Sequence, residues 1–149
     1  MLAMNIHSPH LAVLVVEDDF LVRLDAAETL RDAGFEVLEA DDAAGALELM
    51  ANRDDIGLLF TDINMPGAMD GVELARRAHL LHPAIRLLLT SGEVRPTPKE
   101  MPDDGVFIAK PYSPGDITHT VTHLLASGRP TRAGRRFPDK TGTKGRRRN

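Results

Sequence analysis

Five short apolar runs alternate along the chain with segments whose apolar residues recur every three or four positions. The runs are LAVLVV (11–16), FEVLEA (35–40), IGLLFT (56–61), IRLLLT (85–90) and GVFIA (105–109). LAVLVV is continuous and rich in valine, which is typical of a strand that is buried on both faces. Helical spacing marks segments 21–33, 43–52, 70–81 and 113–126. The alternation predicts an α/β fold with a five-stranded parallel sheet and helices on both faces.

Capping signals support two of these helices. Asp41 or Asp42 can cap the segment 43–52, because a carboxylate oxygen accepts a hydrogen bond from a free N–H of the first turn. The last helix opens with Ser113, Pro114 and, three positions after the serine, Asp116. This pattern predicts a capping box with proline at the first helical position.

The connection between the fourth and fifth runs does not follow the helical pattern. It contains Pro96, Pro98 and Pro102 within residues 91–105. Proline lacks an N–H and clashes with the preceding turn, so these three cannot all lie inside a regular helix. We therefore predict a proline-rich loop there, with a single helical turn at most.

Composition and charge divide the chain into three parts. The 149 residues are 42% hydrophobic and 27% charged, and cysteine is absent. No apolar run is long enough to span a membrane, and the start lacks the features of a secretory signal, so we expect a cytoplasmic protein. The net charge of −4 combines about −12 in residues 1–127 with +8 from residue 128 onward. We predict an N-terminal extension (1–9), one domain (10–127) and a basic, disordered tail (128–149). The tail is expected to be solvated, with binding of nucleic acid or of an acidic partner as the alternatives.

Charged and hydroxyl residues follow directly after the predicted strands. Glu17 and Asp18 end the first run, Asp62 the third, Thr90 the fourth and Lys110 the fifth. Because the carboxyl ends of parallel strands meet at one edge of a sheet, these side chains should lie close together. Carboxylate oxygens from two strands suit a hard divalent cation such as Mg²⁺, or Mn²⁺ in its place. Asp19, the third acid after the first run, is expected to face outward near the start of the next helix.

This set of groups indicates phosphoryl transfer onto an aspartate. A carboxylate is a weak nucleophile, but phosphoryl transfer depends mainly on positioning and on neutralising the charge of the phosphoryl oxygens. The metal, the ammonium of Lys110 and the hydroxyl of Thr90 can supply that neutralisation. Asp62 would then carry the acyl phosphate.

Four motifs together resemble the receiver domain of bacterial two-component response regulators. They are VVEDD (15–19), FTDINMPGAMDG (60–71), LLLTSGE (87–93) and FIAKPY (107–112). The resemblance covers residues 10–127 and implies a flavodoxin-like fold with strand order 2-1-3-4-5. It also implies that the chain receives a phosphoryl group from a histidine kinase or a histidine phosphotransfer protein, and is not itself an enzyme.

The resemblance assigns a role to individual residues. Asp62 is implied as the phosphoacceptor and a metal ligand, Asp18 as a direct ligand and Glu17 as a ligand through water. Asn64 matches the position whose backbone carbonyl binds the metal, and Lys110 matches the phosphate-binding lysine.

Two further positions match the family's switch. Thr90 corresponds to its hydroxyl, which also binds phosphate, and Phe107 to its aromatic residue. The chain departs from the family in three ways. Glu17 stands for the commoner aspartate, and the loop MPGAMDG (65–71) is one residue longer than the shortest version. The proline-rich segment 91–105 replaces the usual fourth helix.

These observations predict a stand-alone response regulator without a DNA-binding domain or membrane segment, and they leave homodimerisation open. Two alternatives are a phosphatase or related hydrolase that uses an aspartyl phosphate and a pseudo-receiver that only binds partners. Such hydrolases carry a second acid two residues after the nucleophile, whereas this chain has Asn64, which cannot transfer protons at neutral pH.

Overall fold

The computed structural model describes residues 11–93, 95–102 and 104–126. Within them strands and helices follow the order that the hydrophobic pattern predicts. The elements are β1 (Ala12–Val16), α1 (Phe20–Asp32), β2 (Glu36–Ala40), α2 (Ala43–Asn52), β3 (Ile56–Asp62), α3 (Gly71–Leu81), β4 (Arg86–Ser91), β5 (Val106–Ala109) and α4 (Pro114–Ala126). The predicted extension 1–9 and basic tail 128–149 lie outside the described residues.

All strand pairs are parallel, in the order β2-β1-β3-β4-β5. The predicted flavodoxin-like sheet is therefore confirmed. β3 and β4 each run one residue further than the apolar pattern suggests, because the ladder continues at their carboxyl ends. Asp62 pairs with Thr90, and the Ile63 N–H donates to the Thr90 carbonyl at 2.8 Å. The polar residues at this edge are thus held by regular strand pairing.

A hydrophobic core lies on each face of the sheet. Successive strand residues point to opposite faces, so each strand contributes to both cores. The α2–α3 core contains Leu14, Met50, Leu59, Leu74 and Leu87, among others. The α1–α4 core contains Val15, Leu30, Phe60, Leu88 and Ile117, among others. Each large side chain buried in this way contributes roughly 1.5–3 kcal/mol relative to exposure.

Side-chain caps fix the starts of the helices. Asp19, Asp42 and Asp70 each accept a hydrogen bond from a first-turn N–H of α1, α2 and α3. Asp42, not Asp41, therefore caps α2. Ser113 and Asp116 exchange hydrogen bonds at 3.0 and 3.3 Å, which confirms the predicted capping box. A cap of this kind is worth about 1 kcal/mol.

The proline-rich connection between β4 and β5 contains no regular helix in its described residues. The Thr97 carbonyl accepts from the N–H groups of Glu100 and Met101, which makes a single turn. Pro102 is buried, and Met101 packs against the α2–α3 core. The predicted loop with one helical turn is confirmed. None of the helices in the described part of the chain combines the length and apolar character needed to cross a membrane.

Candidate functional site

Three carboxylates meet at the carboxyl edge of the sheet. Glu17 and Asp18 follow β1 and Asp62 ends β3, and one oxygen from each lies within 4.8 Å of the other two. Glu17 is 5% exposed and Asp62 6%, whereas Asp18 is exposed. Crowded acids of this kind repel one another unless positive charge lies among them.

Lys110 supplies positive charge from the end of β5. Its Nζ lies 2.9 Å from Glu17 Oε1 and 3.4 Å from Asp62 Oδ2. Burial lowers the pKa of Lys110, but the hydrogen bond to Glu17 and the charge of Asp62 outweigh it and raise the pKa above its usual value. Burial raises the pKa of Glu17, and the hydrogen bonds from Lys110 and from the Asp19 backbone offset only part of that rise. The ammonium group is therefore held charged between two buried acids.

Thr90 lies directly beside Asp62 on the neighbouring strand. It is 2% exposed, and its Oγ1 is the one buried side-chain nitrogen or oxygen in the described residues without a hydrogen-bond partner. Buried hydroxyls are normally hydrogen-bonded, so an acceptor placed above Asp62 would satisfy a group that is otherwise unpaired.

The turn from β3 to α3 packs closely against the acceptor. A Cβ at Gly71 would collide with the Asp62 backbone carbonyl, so only glycine fits there. Asn64 is exposed; its Oδ1 accepts from Ser91 Oγ at 2.6 Å, and its N–H donates to Asp62 Oδ1 at 3.4 Å. This turn therefore holds both the backbone and the carboxylate of Asp62.

The other predicted residues lie further from the carboxylates. Asp19 is exposed and caps α1, which confirms its outward orientation. Phe107 is half-buried on β5, where it pairs with Leu89 and packs against the α2–α3 core. The Arg95 guanidinium lies over its ring, 4.9 Å from the centroid.

Tyr112 is the residue that the sequence interpretation missed. It shares a small cavity with Glu17, Asp62 and Thr90, and its ring lies 5.7 Å from that of Phe60. Burial, together with the charges of Glu17 and nearby acids, raises its pKa to about 12. Its place two residues after Lys110 is the signal that could have identified it.

The oxygen donors fit a hard divalent cation. Mg²⁺ takes carboxylate and carbonyl oxygens and retains several waters, so one or two direct carboxylate ligands suffice. The site thus combines a cluster of three carboxylates, a fixed ammonium group and an unpaired hydroxyl around one buried aspartate. This is a set of groups suited to receiving an anionic group on Asp62.

Comparison with known proteins agrees with this chemistry. Residues 13–122 match the family model of the response regulator receiver domain. The chain is 34% identical to the response regulator receiver protein CpdR of Brucella abortus, over 76% of this chain and 95% of that protein. It is also 34% identical to the transcriptional regulatory protein PdtaR of Mycobacterium tuberculosis, over 70% of this chain and 52% of that protein.

Solved structures give the same result. The receiver domain of the hybrid histidine kinase CckA superposes with a TM-score of 0.66 at 33% identity, covering 76% of this chain and 98% of that one. The chemotaxis protein CheY4 of Vibrio cholerae superposes with a TM-score of 0.67 at 28% identity, covering 77% and 98%. The chain belongs to the response regulator receiver domain family and acts as a phosphoacceptor in two-component signalling.

Proposed function

We propose that Asp62 is the residue that accepts the phosphoryl group. The observation that carries this proposal is the surroundings of its carboxylate, which is buried at the sheet edge with Lys110 Nζ at 3.4 Å and two further acids within 4.8 Å. Asp62 is also the one buried aspartate in the described residues. The donor is a histidine kinase or a histidine phosphotransfer protein, and the encounter takes place in the cytoplasm.

In the transfer step an Asp62 oxygen forms a bond to phosphorus while the bond from phosphorus to the donor histidine nitrogen breaks. The departing imidazole keeps the electron pair of that bond and takes up a proton. Lys110 neutralises one phosphoryl oxygen, and Thr90 donates a hydrogen bond to another. The protein thereby assists its own phosphorylation, mainly through positioning and charge stabilisation.

We propose that Asp18 and Asp62 hold Mg²⁺ or Mn²⁺ directly, with the Asn64 backbone carbonyl as a third protein ligand. When bound, the metal neutralises charge on the phosphoryl oxygens. Glu17 would contact it through water. The support for that assignment is that Glu17 Oε1 accepts from Lys110 and Oε2 accepts from the Asp19 N–H at 3.2 Å, which leaves little capacity for direct ligation.

The position two residues after Asp62 argues against an aspartyl-phosphate hydrolase. Asn64 has no titratable proton, and its side-chain oxygen accepts a hydrogen bond from Ser91. The complete set of acids, lysine and hydroxyl likewise argues against a pseudo-receiver that only binds partners. Thr90 and Phe107 remain our proposed switch residues.

The acceptor is tested with a small-molecule donor. Wild-type protein treated with acetyl phosphate and Mg²⁺ should incorporate phosphate, and Asp62→Asn should not, because the amide lacks a nucleophilic oxyanion. Asp19→Asn is the matched control, since asparagine keeps the α1 cap while removing an exposed neighbouring charge. Undiminished incorporation in Asp62→Asn would place the acceptor at another residue.

A further inference from the structure

The turn from β1 to α1 carries two of the three clustered carboxylates, and its backbone is held from two sides. The Glu17 N–H donates to the Ala40 carbonyl, at the end of β2, at 3.1 Å. The Glu17 carbonyl accepts a hydrogen bond from Arg23 Nη1 at 3.0 Å. Arg23 lies in the first turn of α1, so the helix reaches back to the turn from which it starts.

The Arg23 guanidinium is itself fixed in place. Its Nε donates to Glu39 Oε1 of β2 at 3.1 Å, and its Cζ lies over the Phe20 ring, 5.4 Å from the centroid. The side chains of Arg23 and Glu39 are 15% and 24% exposed, so salt screens this ion pair less than one on the open surface. One planar guanidinium therefore joins the Glu39 carboxylate to the Glu17 carbonyl.

The position of Asp18 depends on this contact. Asp18 is exposed, and within the described residues its carboxylate has no hydrogen bond or ion pair that would orient it. The Glu17 carbonyl and the Asp18 N–H belong to the same planar peptide group. Holding the carbonyl therefore fixes that peptide plane, and with it the direction in which the Asp18 side chain leaves the backbone.

We propose that Arg23 is a positioning residue of the metal site, which keeps the Asp18 carboxylate next to Asp62 by holding the Glu17 carbonyl. The proposal rests on the proposed metal ligands Asp18 and Asp62. Arg23 is not itself a ligand, because a guanidinium group has donors and no acceptor. It acts through the backbone of the acidic turn.

The charge and the position of Arg23 should affect metal binding in opposite directions. A positive side chain beside the acids repels a divalent cation, so removal of the charge by itself would strengthen metal binding. Loss of the hold on the Glu17 carbonyl would weaken it, because partners that orient metal ligands typically contribute 10–100-fold in affinity. The direction of the change therefore distinguishes a positioning role from a purely electrostatic one.

Arg31 provides a matched control on the same helix. Its Nη1 lies 3.1 Å from Glu39 Oε2, and its Nη2 donates to the Val37 carbonyl at 3.0 Å. Arg31 thus shares the Glu39 carboxylate with Arg23 and also binds a backbone carbonyl. These contacts are made to β2 and not to the turn that carries Asp18.

Mn²⁺ binding to the full-length protein is measured at constant ionic strength from the loss of the free-ion signal in electron paramagnetic resonance. Arg23→Met keeps an apolar stem without donors or charge, and it should bind Mn²⁺ about tenfold more weakly than wild type. Arg23→Lys keeps the charge but lacks the planar fork, so it should also bind more weakly. Arg31→Met should change the affinity by less than about twofold, because it orients no ligand. Circular dichroism shows that each variant is folded at the temperature of the titration.

An affinity of Arg23→Met equal to or above that of wild type would overturn the proposal, and so would an equal loss in Arg31→Met. If Arg23→Met does not fold, Arg23→Lys decides the question, and wild-type affinity in that variant would show that the charge alone suffices. A wild-type protein that binds no Mn²⁺, or an Asp18→Ala variant that binds it equally well, would overturn the metal assignment together with this proposal.

Discussion

At the scale of single residues, Glu17 sets the charge balance of the site. It is the buried member of an acidic run, and its longer side chain reaches Lys110 at 2.9 Å. The next two residues have different structural roles. Asp18 belongs to the carboxylate cluster, and Asp19 caps α1. Three adjacent acids are therefore tolerated because each has a different environment.

This division predicts how the acids contribute to metal binding. Asp18→Ala should weaken Mg²⁺ affinity by more than about tenfold, because loss of even a supporting partner of a metal ligand typically costs 10–100-fold. Asp19→Asn, which keeps the cap, should change affinity by less than about twofold. Calorimetric titration with Mg²⁺ measures both, and equal affinity in the two variants would contradict the assignment.

Metal-free Asp18→Ala should also have a higher Tm, because carboxylate repulsion is relieved.

The single tyrosine gives a pH prediction. Tyr112 should ionise near pH 12 in the folded protein and near pH 10 in urea, which absorbance of the phenolate measures. Because the folded pKa is the higher one, its contribution to the free energy of unfolding is complete below pH 10. That contribution, about 2 kcal/mol or less, is lost as the pH rises toward 12. Half-ionisation near pH 10 in protein that circular dichroism shows to be folded would contradict the buried environment.

The sequence predicts the principal site residues because each follows an apolar strand directly. Asp18, Asp62 and Lys110 could be located at one sheet edge without knowing any side-chain position. Tyr112 could not be predicted in this way. The face of the sheet that it meets depends on the path of the turn between β5 and α4, which periodicity does not determine.

At the scale of elements, the proline-rich connection takes the place that a helix has in typical receivers. Arg95 lies over the Phe107 ring, and Arg76 Nη2 of α3 donates to the Glu100 carbonyl at 3.3 Å. The three prolines predict a loop, but they do not reveal these contacts, which depend on where the single turn at Thr97 directs the chain. The loop is thus attached both to Phe107 and to α3.

These attachments predict which elements move on activation. Hydrogen exchange with and without beryllium fluoride should change mainly across residues 90–112, because Thr90, the connection and β5 lie there, and should change little across residues 35–55. Thr90→Ala should lose the response while retaining fluoroberyllate. Changes concentrated in α1 and α2 instead, or an intact response in Thr90→Ala, would contradict this route.

At the scale of the whole molecule, large apolar side chains are exposed both near the site and at the opposite end. Phe20 and Leu21 are 59% and 71% exposed at the start of α1, next to the carboxylate cluster. Leu80 is 79% exposed near the end of α3, toward the other edge of the sheet. Exposed apolar residues beside the acceptor are suited to contact with the phosphodonor.

Leu21 and Leu80 therefore provide a test of docking and its matched control. Leu21→Ser should slow phosphotransfer from a histidine kinase that phosphorylates the chain by about tenfold, since burying a leucine at an interface is worth roughly 1.5–3 kcal/mol. Phosphorylation by acetyl phosphate should not change, and Leu80→Ser should alter neither rate. Equal effects of the two substitutions on the kinase reaction would refute a docking role for the start of α1.

Some features of the overall architecture can be predicted from apolar periodicity, and others cannot. Apolar periodicity gives the number and order of the elements and a parallel sheet, because runs such as LAVLVV (11–16) are too continuous for a strand with one solvated face. It does not specify which strands are neighbours, and the order 2-1-3-4-5 could be predicted only through the resemblance to receiver domains. The two cores follow from that order, since it sets which helices share a face.

The central claim is that the chain carries its phosphoryl group on Asp62. Protein treated with acetyl phosphate and Mg²⁺ can be reduced with borohydride, which converts an aspartyl phosphate to homoserine, and the modified residue can be located by peptide mass spectrometry. The account predicts homoserine at position 62, dependent on both the donor and the metal. Homoserine at position 18 or 19 instead, or none in protein that has incorporated phosphate, would contradict it.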